Sequence, residues 1–150
     1  MRKTHYIPFL SLLILLGALM GCSGNKPAPV SERIAKIWTA SKVDEGKITV
    51  YTRGGASNVR NYASFKLDLS QAPTVRYTEL DGNTFVGKYS LPSDNRLVLT
   101  DLNPAPTSAN NSTTIEFTIN SIDDNNLSLS RTTTSLKTGG TLNDYTLTNP

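Results

Sequence analysis

The sequence predicts an all-β domain, an antiparallel meander β-barrel of eight to nine strands preceded by a short N-terminal helical turn. Apolar and polar residues alternate with a period of two in short runs, which is typical of strands with one buried face. Segments rich in Asp, Asn and Gly separate the runs, and these residues tolerate the backbone conformations of tight hairpins. Such short connections make sequential strands antiparallel neighbours, because a parallel crossover needs a dozen residues or more.

A closed barrel is favoured over a sandwich. Closure removes exposed strand edges, and eight strands can enclose a filled interior or one small ligand. A Greek-key sandwich would need long crossings between its sheets, and only 102–112 and 133–141 are long enough to provide them.

The N-terminal segment has the features of an export signal. Arg2 and Lys3 precede an apolar run from Ile7 to Met20, and this run of about 14 residues is too short for a comfortable membrane span. It ends in Leu19-Met20-Gly21-Cys22, which closely resembles the lipobox of bacterial lipoproteins. The resemblance implies cleavage before Cys22 and lipidation of its thiol and of the new amino terminus.

This divides the chain into a signal peptide (1–21), a lipid anchor with a flexible tether (22–30) and a barrel domain (31–150). Gly, Ser and two prolines make the tether a short spacer. Ser31 is placed to N-cap a helical turn that ends by Lys36. Stable attachment to a membrane takes two or more acyl chains, which a triacylated Cys22 would supply.

Removal of the signal peptide also removes chemistry. It takes away His5, the only histidine, while Cys22, the only cysteine, is acylated. Ser–His–Asp and Cys–His nucleophilic sites are thereby excluded, as are His-ligated metals and haem. The 13 basic and 12 acidic residues that remain form no Lys/Arg cluster of the kind that binds nucleic acid. We therefore expect a monomeric, non-enzymatic protein that needs no cofactor, metal or disulfide and binds no nucleic acid.

The clearest alternation runs from Val59 to Leu69, with Phe65 and Leu67 in the apolar parity and Tyr62 in the other. Similar runs predict further strands at 37–43, 47–53, 74–80, 84–90, 95–101, 113–121, 126–132 and 142–148. The turns between them are Asp44-Glu45-Gly46, Asp81-Gly82-Asn83, Pro92-Ser93-Asp94-Asn95 and Asp123-Asp124-Asn125.

From Ile34 to about Thr132 the chain resembles the lipocalin-like lipoproteins of Bacteroidetes-type bacteria. The resemblance rests on Lys36-Ile37-Trp38, Tyr77-Thr78-Glu79-Leu80-Asp81-Gly82, Gly87-Lys88-Tyr89-Ser90-Leu91, Leu97-Val98-Leu99 and Leu127-Ser128-Leu129-Ser130. Classical lipocalins carry Gly two places before the first-strand Trp, where this chain has Lys36. The resemblance implies a meander barrel, the binding of an apolar ligand and no catalytic residues.

The inward parity of the strands predicts the barrel interior. Its members are Trp38, Phe65, Leu67, Val75, Tyr77, Phe85, Tyr89, Leu97, Leu99, Ile115, Phe117, Ile119, Leu127 and Leu129. They line either a cavity for a small apolar ligand or a packed core, since barrels of this size can be filled by their own side chains. The candidate ligand-binding residues are Trp38, Phe65, Tyr77, Phe85, Tyr89, Phe117 and Arg131.

Arg131 is the charged member of the parity that contains Leu127 and Leu129. The lipocalin resemblance implies that it stacks on Trp38 through a cation–π contact. The alternative is a solvated arginine at a fraying strand end.

The run Asp123-Asp124-Asn125-Asn126 offers oxygen ligands of the kind that bind Ca²⁺. It lacks the spaced acids and the bidentate Glu of an EF-hand. A hairpin turn explains it.

Loop lengths leave one conflict. Alternate loops of a meander share an end, so 54–58, 102–112 and 134–141 are expected to lie together with the N-terminal turn. In lipocalins that turn closes the barrel opposite its mouth, so either the mouth is unconventional or one strand is miscounted.

Two functions follow from the sequence. The first is a barrel tethered to a membrane of the bacterial cell envelope, expected to be the outer membrane with the domain on its periplasmic or surface face, that binds a small apolar ligand. The second is a filled barrel that presents its loops to an envelope or host protein. A pocket of roughly 300 Å³ or more favours the ligand, and a filled interior favours the partner.

Overall fold

The computed structural model describes residues 26–150. The single helix of this part of the chain is α1 (Val30–Arg33), and two 3-10 turns lie at Thr107–Ala109 and Leu136–Thr138. The strands are β1 (Ile37–Glu45), β2 (Ile48–Thr52), β3 (Lys66–Gln71), β4 (Thr74–Thr78), β5 (Thr84–Ser93), β6 (Arg96–Asn103), β7 (Ile115–Ile122), β8 (Asn126–Arg131) and β9 (Asn143–Thr148). No helix within 26–150 is long and apolar enough to span a bilayer. The Cys22 anchor and the signal peptide lie outside the described residues.

The strands form one antiparallel sheet that closes into a barrel. They pair in the order β2-β1-β3-β4-β5-β6-β7-β8-β9, and β1 also pairs with β9. Eight strands therefore close the barrel, and β2 is an additional strand. Along one edge of β1, residues Lys42–Glu45 pair with β2 and residues Ile37–Thr39 pair with β3.

The predicted strand from Val59 to Leu69 is wrong in its first half. The strand β3 begins only at Lys66, and Val59 is 80% exposed. The amides of Val59 and Arg60 both donate to the carbonyl of Val50, so the chain turns beside β2 instead of extending. The Asn58 side chain bonds both the amide and the carbonyl of Thr52, and such local side-chain bonds compete with a strand ladder.

The same segment resolves the conflict over the loops. Because β2 and β3 both run antiparallel to β1, they point in one direction and occupy successive stretches of its edge. In a simple meander β3 would run opposite to β2. Because it runs in the same direction instead, every connection after β3 lies at the end of the barrel opposite to the one expected from a simple meander. The connections 104–114 and 132–142 lie at the end opposite α1, together with the turns at 46–47 and 79–83. We call this the loop end, and the other the helix end.

The helix end is closed by α1 and short hairpins. Arg33 donates to the carbonyl of Ile122 at 2.6 Å, and Lys36 donates to that of Asp124 at 2.5 Å. Ser31 lies inside α1 and is not its N-cap; Pro29 occupies that position without a side-chain cap bond. The predicted turn at 123–126 is present, because the Asp123 carboxylate accepts hydrogen bonds from the amides of Asn125 and Asn126.

The barrel interior is packed with the side chains that strand parity predicts. All fourteen predicted interior residues are buried, and Tyr51, Tyr62 and Tyr145 join them. The rings of Phe65 and Tyr145 stack with centroids 4.7 Å apart, and Phe117 meets Tyr145 edge-on at 6.1 Å. Such offset and edge-to-face pairs are the favoured aromatic geometries.

Candidate functional site

The loop end holds a group of buried and partly buried polar side chains, which we call the mouth cluster. Its members are Glu79, Ser108, Arg131, Lys137 and Asn143. Glu79 follows β4, Ser108 lies in the first 3-10 turn, Arg131 ends β8, Lys137 lies in the second 3-10 turn, and Asn143 begins β9. Five elements and their connections thus bring polar and charged side chains to the loop end of the barrel.

Lys137 ties the 132–142 connection across the loop end. Its ammonium nitrogen lies 2.6 Å from Oε2 of Glu79 and 2.6 Å from Oδ2 of Asp81. The first contact is an ion pair in which Oε2 lacks a well-aligned hydrogen bond. The same ammonium lies 5.7 Å from the centroid of the Phe85 ring, a cation–π distance.

The pKa shifts of Lys137 and Asp81 favour the charged form of each group. Partial burial raises the pKa of Asp81, but hydrogen bonds from Lys137 and the Asn83 amide outweigh it, so the net shift is downward. Partial burial lowers the pKa of Lys137, but the bonds to Asp81 and Glu79 outweigh it and raise the value. Both groups are therefore ionised at neutral pH, which holds the 132–142 connection to the 79–83 turn.

Arg131 is the most deeply buried cation of the mouth cluster, with 3% of its surface exposed. Its Nη1 donates to the Ser108 hydroxyl at 3.3 Å, and that hydroxyl donates in turn to Oε1 of Glu79. Its Nε and Nη2 atoms have no hydrogen-bond partner among the described residues. Both sequence-based interpretations of Arg131 are therefore wrong: it is not solvated, and it lies at the loop end while Trp38 lies at the helix end, where its indole N–H donates to Ile34.

Buried tyrosines lie beneath the mouth cluster. Burial raises the pKa of Tyr145 to about 12, although a hydrogen bond from Asn143 acts in the opposite direction. Burial also raises the pKa of Tyr77 well above its usual value, and neighbouring Tyr145 and Glu79 add to the effect. These hydroxyls therefore stay protonated at neutral pH.

The enclosed space inside the barrel is small. A cavity of about 10 Å³ lies between the mouth cluster and the aromatic core, lined by Tyr62, Phe65, Tyr77, Glu79, Leu80, Arg131, Ser135, Lys137, Asn143 and Tyr145. This is about the room that one water needs. The interior of the described barrel is thus filled by its own side chains.

A larger open groove lies on the outside of the loop end. Its volume is about 570 Å³, and it is lined by Gly46, Lys47, Ser130, Arg131, Thr134, Gly140, Leu142 and Asp144. It lies where the pairing of β8 with β9 ends, at Ser130 and Asp144. We call it the rim groove. Its volume lies within the range of small-molecule sites.

The structure separates the candidate ligand-binding residues. Trp38 and Tyr89 face the core near the helix end, where the Tyr89 hydroxyl donates to the carbonyl of Leu69. Phe65, Tyr77, Phe85 and Phe117 form the aromatic core below the mouth cluster. Arg131 alone lines the rim groove. Ligand contact by the others stays a prediction.

Sequence reasoning missed Glu79 and Lys137. A signal for Glu79 was present, because it continues the inward parity of Val75 and Tyr77 in the same way that Arg131 continues that of Leu127 and Leu129. Two inward positions of opposite charge at one barrel end predict a buried polar cluster. Lys137 lies in an irregular connection, where no periodicity indicates direction.

Comparison with known proteins gives a likeness of fold. No family model matches the chain, and no curated protein does. A crystal structure of a lipocalin-like protein from Bacteroides uniformis superposes with a TM-score of 0.54 at 15% identity, covering 79% of this chain and 99% of that one. An uncharacterized protein from Bacteroides eggerthii superposes with a TM-score of 0.46 at 15% identity, covering 77% and 98%. The closed antiparallel barrel with its N-terminal helix, together with the first of these superpositions, shows that residues 26–150 adopt a lipocalin-like fold.

Proposed function

We propose that this chain is a lipid-anchored, non-enzymatic binding module of the bacterial cell envelope, and that it binds a small molecule in the rim groove. The observation that carries the proposal is the contrast between an interior space of about 10 Å³ and an external groove of about 570 Å³. A lipocalin-like barrel suggests binding, and the packed interior moves that binding to the rim.

The proposed anchor at Cys22 would determine which way the rim groove faces relative to the membrane. Lipidation of Cys22 would tether the domain through the short segment before α1, and therefore at the helix end. The rim groove at the loop end then points away from the anchoring membrane. This orientation favours a ligand or partner in the surrounding compartment, on the periplasmic or surface face of the outer membrane.

Native mass spectrometry of the protein purified from its own membrane tests the proposal. We expect a bound small molecule in the wild type and its loss in Leu142→Arg, because the new side chain fills the rim groove. Ile48→Arg is the matched control, since Ile48 is an exposed apolar residue that does not line the groove. A ligand retained in Leu142→Arg would show that binding occurs elsewhere.

A second function, contact with an envelope or host protein, is favoured by apolar side chains around the same end. Ile48, Leu136 and Leu142 are all more than half exposed. This function would be favoured if the wild-type protein carries no small molecule but binds a defined protein partner, and if Leu136→Asp abolishes binding of that partner.

A further inference from the structure

We propose that the cavity between the mouth cluster and the aromatic core is a binding site for one internal water molecule, which accepts from Nε and Nη2 of Arg131 and donates to Oε2 of Glu79. The inference goes beyond the proposed function and does not depend on the rim groove. It starts from those three atoms, which are fully buried and have no hydrogen-bond partner among the described residues. Buried polar groups are normally paired, either with protein or with ordered water.

The three atoms belong to residues that line the same small space. Arg131 and Glu79 both contribute to the wall of the cavity, whose volume of about 10 Å³ is the room that one water needs. The lining also includes Lys137 and Asn143. An apolar cavity stays dry, whereas a polar one binds water when two or more hydrogen-bond partners are available. The donors and the acceptor of this cavity meet that condition.

The Ser108 hydroxyl shows the kind of bridge that such a water makes. It accepts from Nη1 of Arg131 at 3.3 Å and donates to Oε1 of Glu79, so a single oxygen atom joins the guanidinium to the carboxylate. The other nitrogen of the same planar guanidinium and the other oxygen of the same carboxylate are the atoms left unpaired. A water is a second oxygen bridge between the same two groups.

The charges around the cavity favour a neutral molecule that both donates and accepts. An anion could accept from Arg131, but the Glu79 carboxylate would repel it. A cation could approach Glu79, but the guanidinium of Arg131 and the Lys137 ammonium, which lies 2.6 Å from Oε2 of Glu79, would repel it. Water donates and accepts at once, and the cavity has no room for a larger molecule.

Water-selective nuclear magnetic resonance on the lipidated protein in lipid nanodiscs tests this inference. We expect the Arg131 Nε–H proton to show a cross-peak to water that has opposite signs in laboratory-frame and rotating-frame Overhauser spectra. That sign change identifies a long-lived water and separates it from proton exchange. The Arg96 Nε–H proton is the internal control, because it is bonded to Glu116 at the protein surface and should show no such peak. An Arg131 proton without the peak would overturn the inference.

A matched pair of variants tests the position of the water. Ser135→Thr adds a methyl group to a residue of the cavity wall, so we expect the Arg131 cross-peak to be lost while the folded spectrum is retained. Ser128→Thr makes the same change on β8 outside the cavity and should leave the cross-peak intact. A cross-peak that survives Ser135→Thr would overturn the cavity as the site. An Arg131 signal that shifts and saturates with sodium bromide, while that of Arg96 does not, would show that an anion binds there instead of water.

Discussion

Trp38 shows how one residue joins the helix to the barrel. Trp38 belongs to β1 and is fully buried, and its indole N–H donates to the carbonyl of Ile34, the C-cap of α1, at 2.9 Å. A buried Trp truncated to Ala typically costs about 3–5 kcal/mol, which is a large part of the stability of a domain of this size. We expect Trp38→Ala to lower the melting temperature strongly and wild-type Trp emission to be blue-shifted. Emission like that of free Trp in water would contradict this.

Because of Tyr145, the free energy of unfolding should decrease as the pH rises through the alkaline range. Burial raises its pKa from 10.0 to about 12, so the unfolded chain loses this proton at lower pH than the folded one. The contribution is fully present below pH 10 and is lost as the pH rises towards 12, by up to about 3 kcal/mol. Urea unfolding at pH 8 and pH 11 should show the loss, and Tyr145→Phe should reduce it. Equal stability at the two pH values would refute the prediction.

At the scale of elements, the backbones of β5 and β6 approach each other closely at Gly87. A Cβ at this position would lie 2.4 Å from the carbonyl oxygen of Thr100, closer than real Cβ atoms come to backbone. We therefore expect Gly87→Ala to force β5 away from β6 and to lower the melting temperature clearly. Val86→Ala, at the exposed neighbouring position, is the control and should change little. Wild-type stability in Gly87→Ala would show that the strands have room to separate.

The 132–142 connection is held to the barrel by Lys137. In Lys137→Met the buried Glu79 carboxylate loses its cation, and breaking a buried pair from one side costs about 3 kcal/mol or more. Chemical denaturation should show this loss, and the double variant with Glu79→Gln should recover part of it. Lys88→Met is the matched control, because its pair with Asp101 is two-thirds exposed on both sides and exposed pairs contribute little. Equal losses of stability in the two lysine variants would show that the ion pair between Lys137 and Glu79 contributes no more than an exposed pair.

For the whole molecule, the proposed anchor decides location. The apolar run of 7–20 and the lipobox resemblance at 19–22 lead us to expect that Cys22→Ser moves the protein from the membrane fraction to the soluble one. The reason is that the acyl chains are the proposed means of attachment. Fractionation followed by immunoblotting measures it. A variant that still sediments with membranes would contradict the anchor.

The sequence alone determined much of the fold. Eight of its nine predicted strands lie within about three residues of the observed ends, because period-two burial and Asp/Asn/Gly turns are local properties. The inward parity also identified the interior side chains, including Trp38 and Tyr77. The alternation from Val59 to Leu69 misled, because Asn58 replaces ladder bonds with local ones.

Only the tertiary structure decided how the loops and the charges meet. The direction of β3 relative to β2 depends on which stretch of β1 each strand pairs with, and this long-range choice placed the loops 104–114 and 132–142 opposite α1. Whether the interior is filled depends on how side chains from all strands pack together, which parity does not specify. Lys137 and Arg131 acquire their roles because barrel closure brings distant segments within hydrogen-bonding distance and excludes water around them.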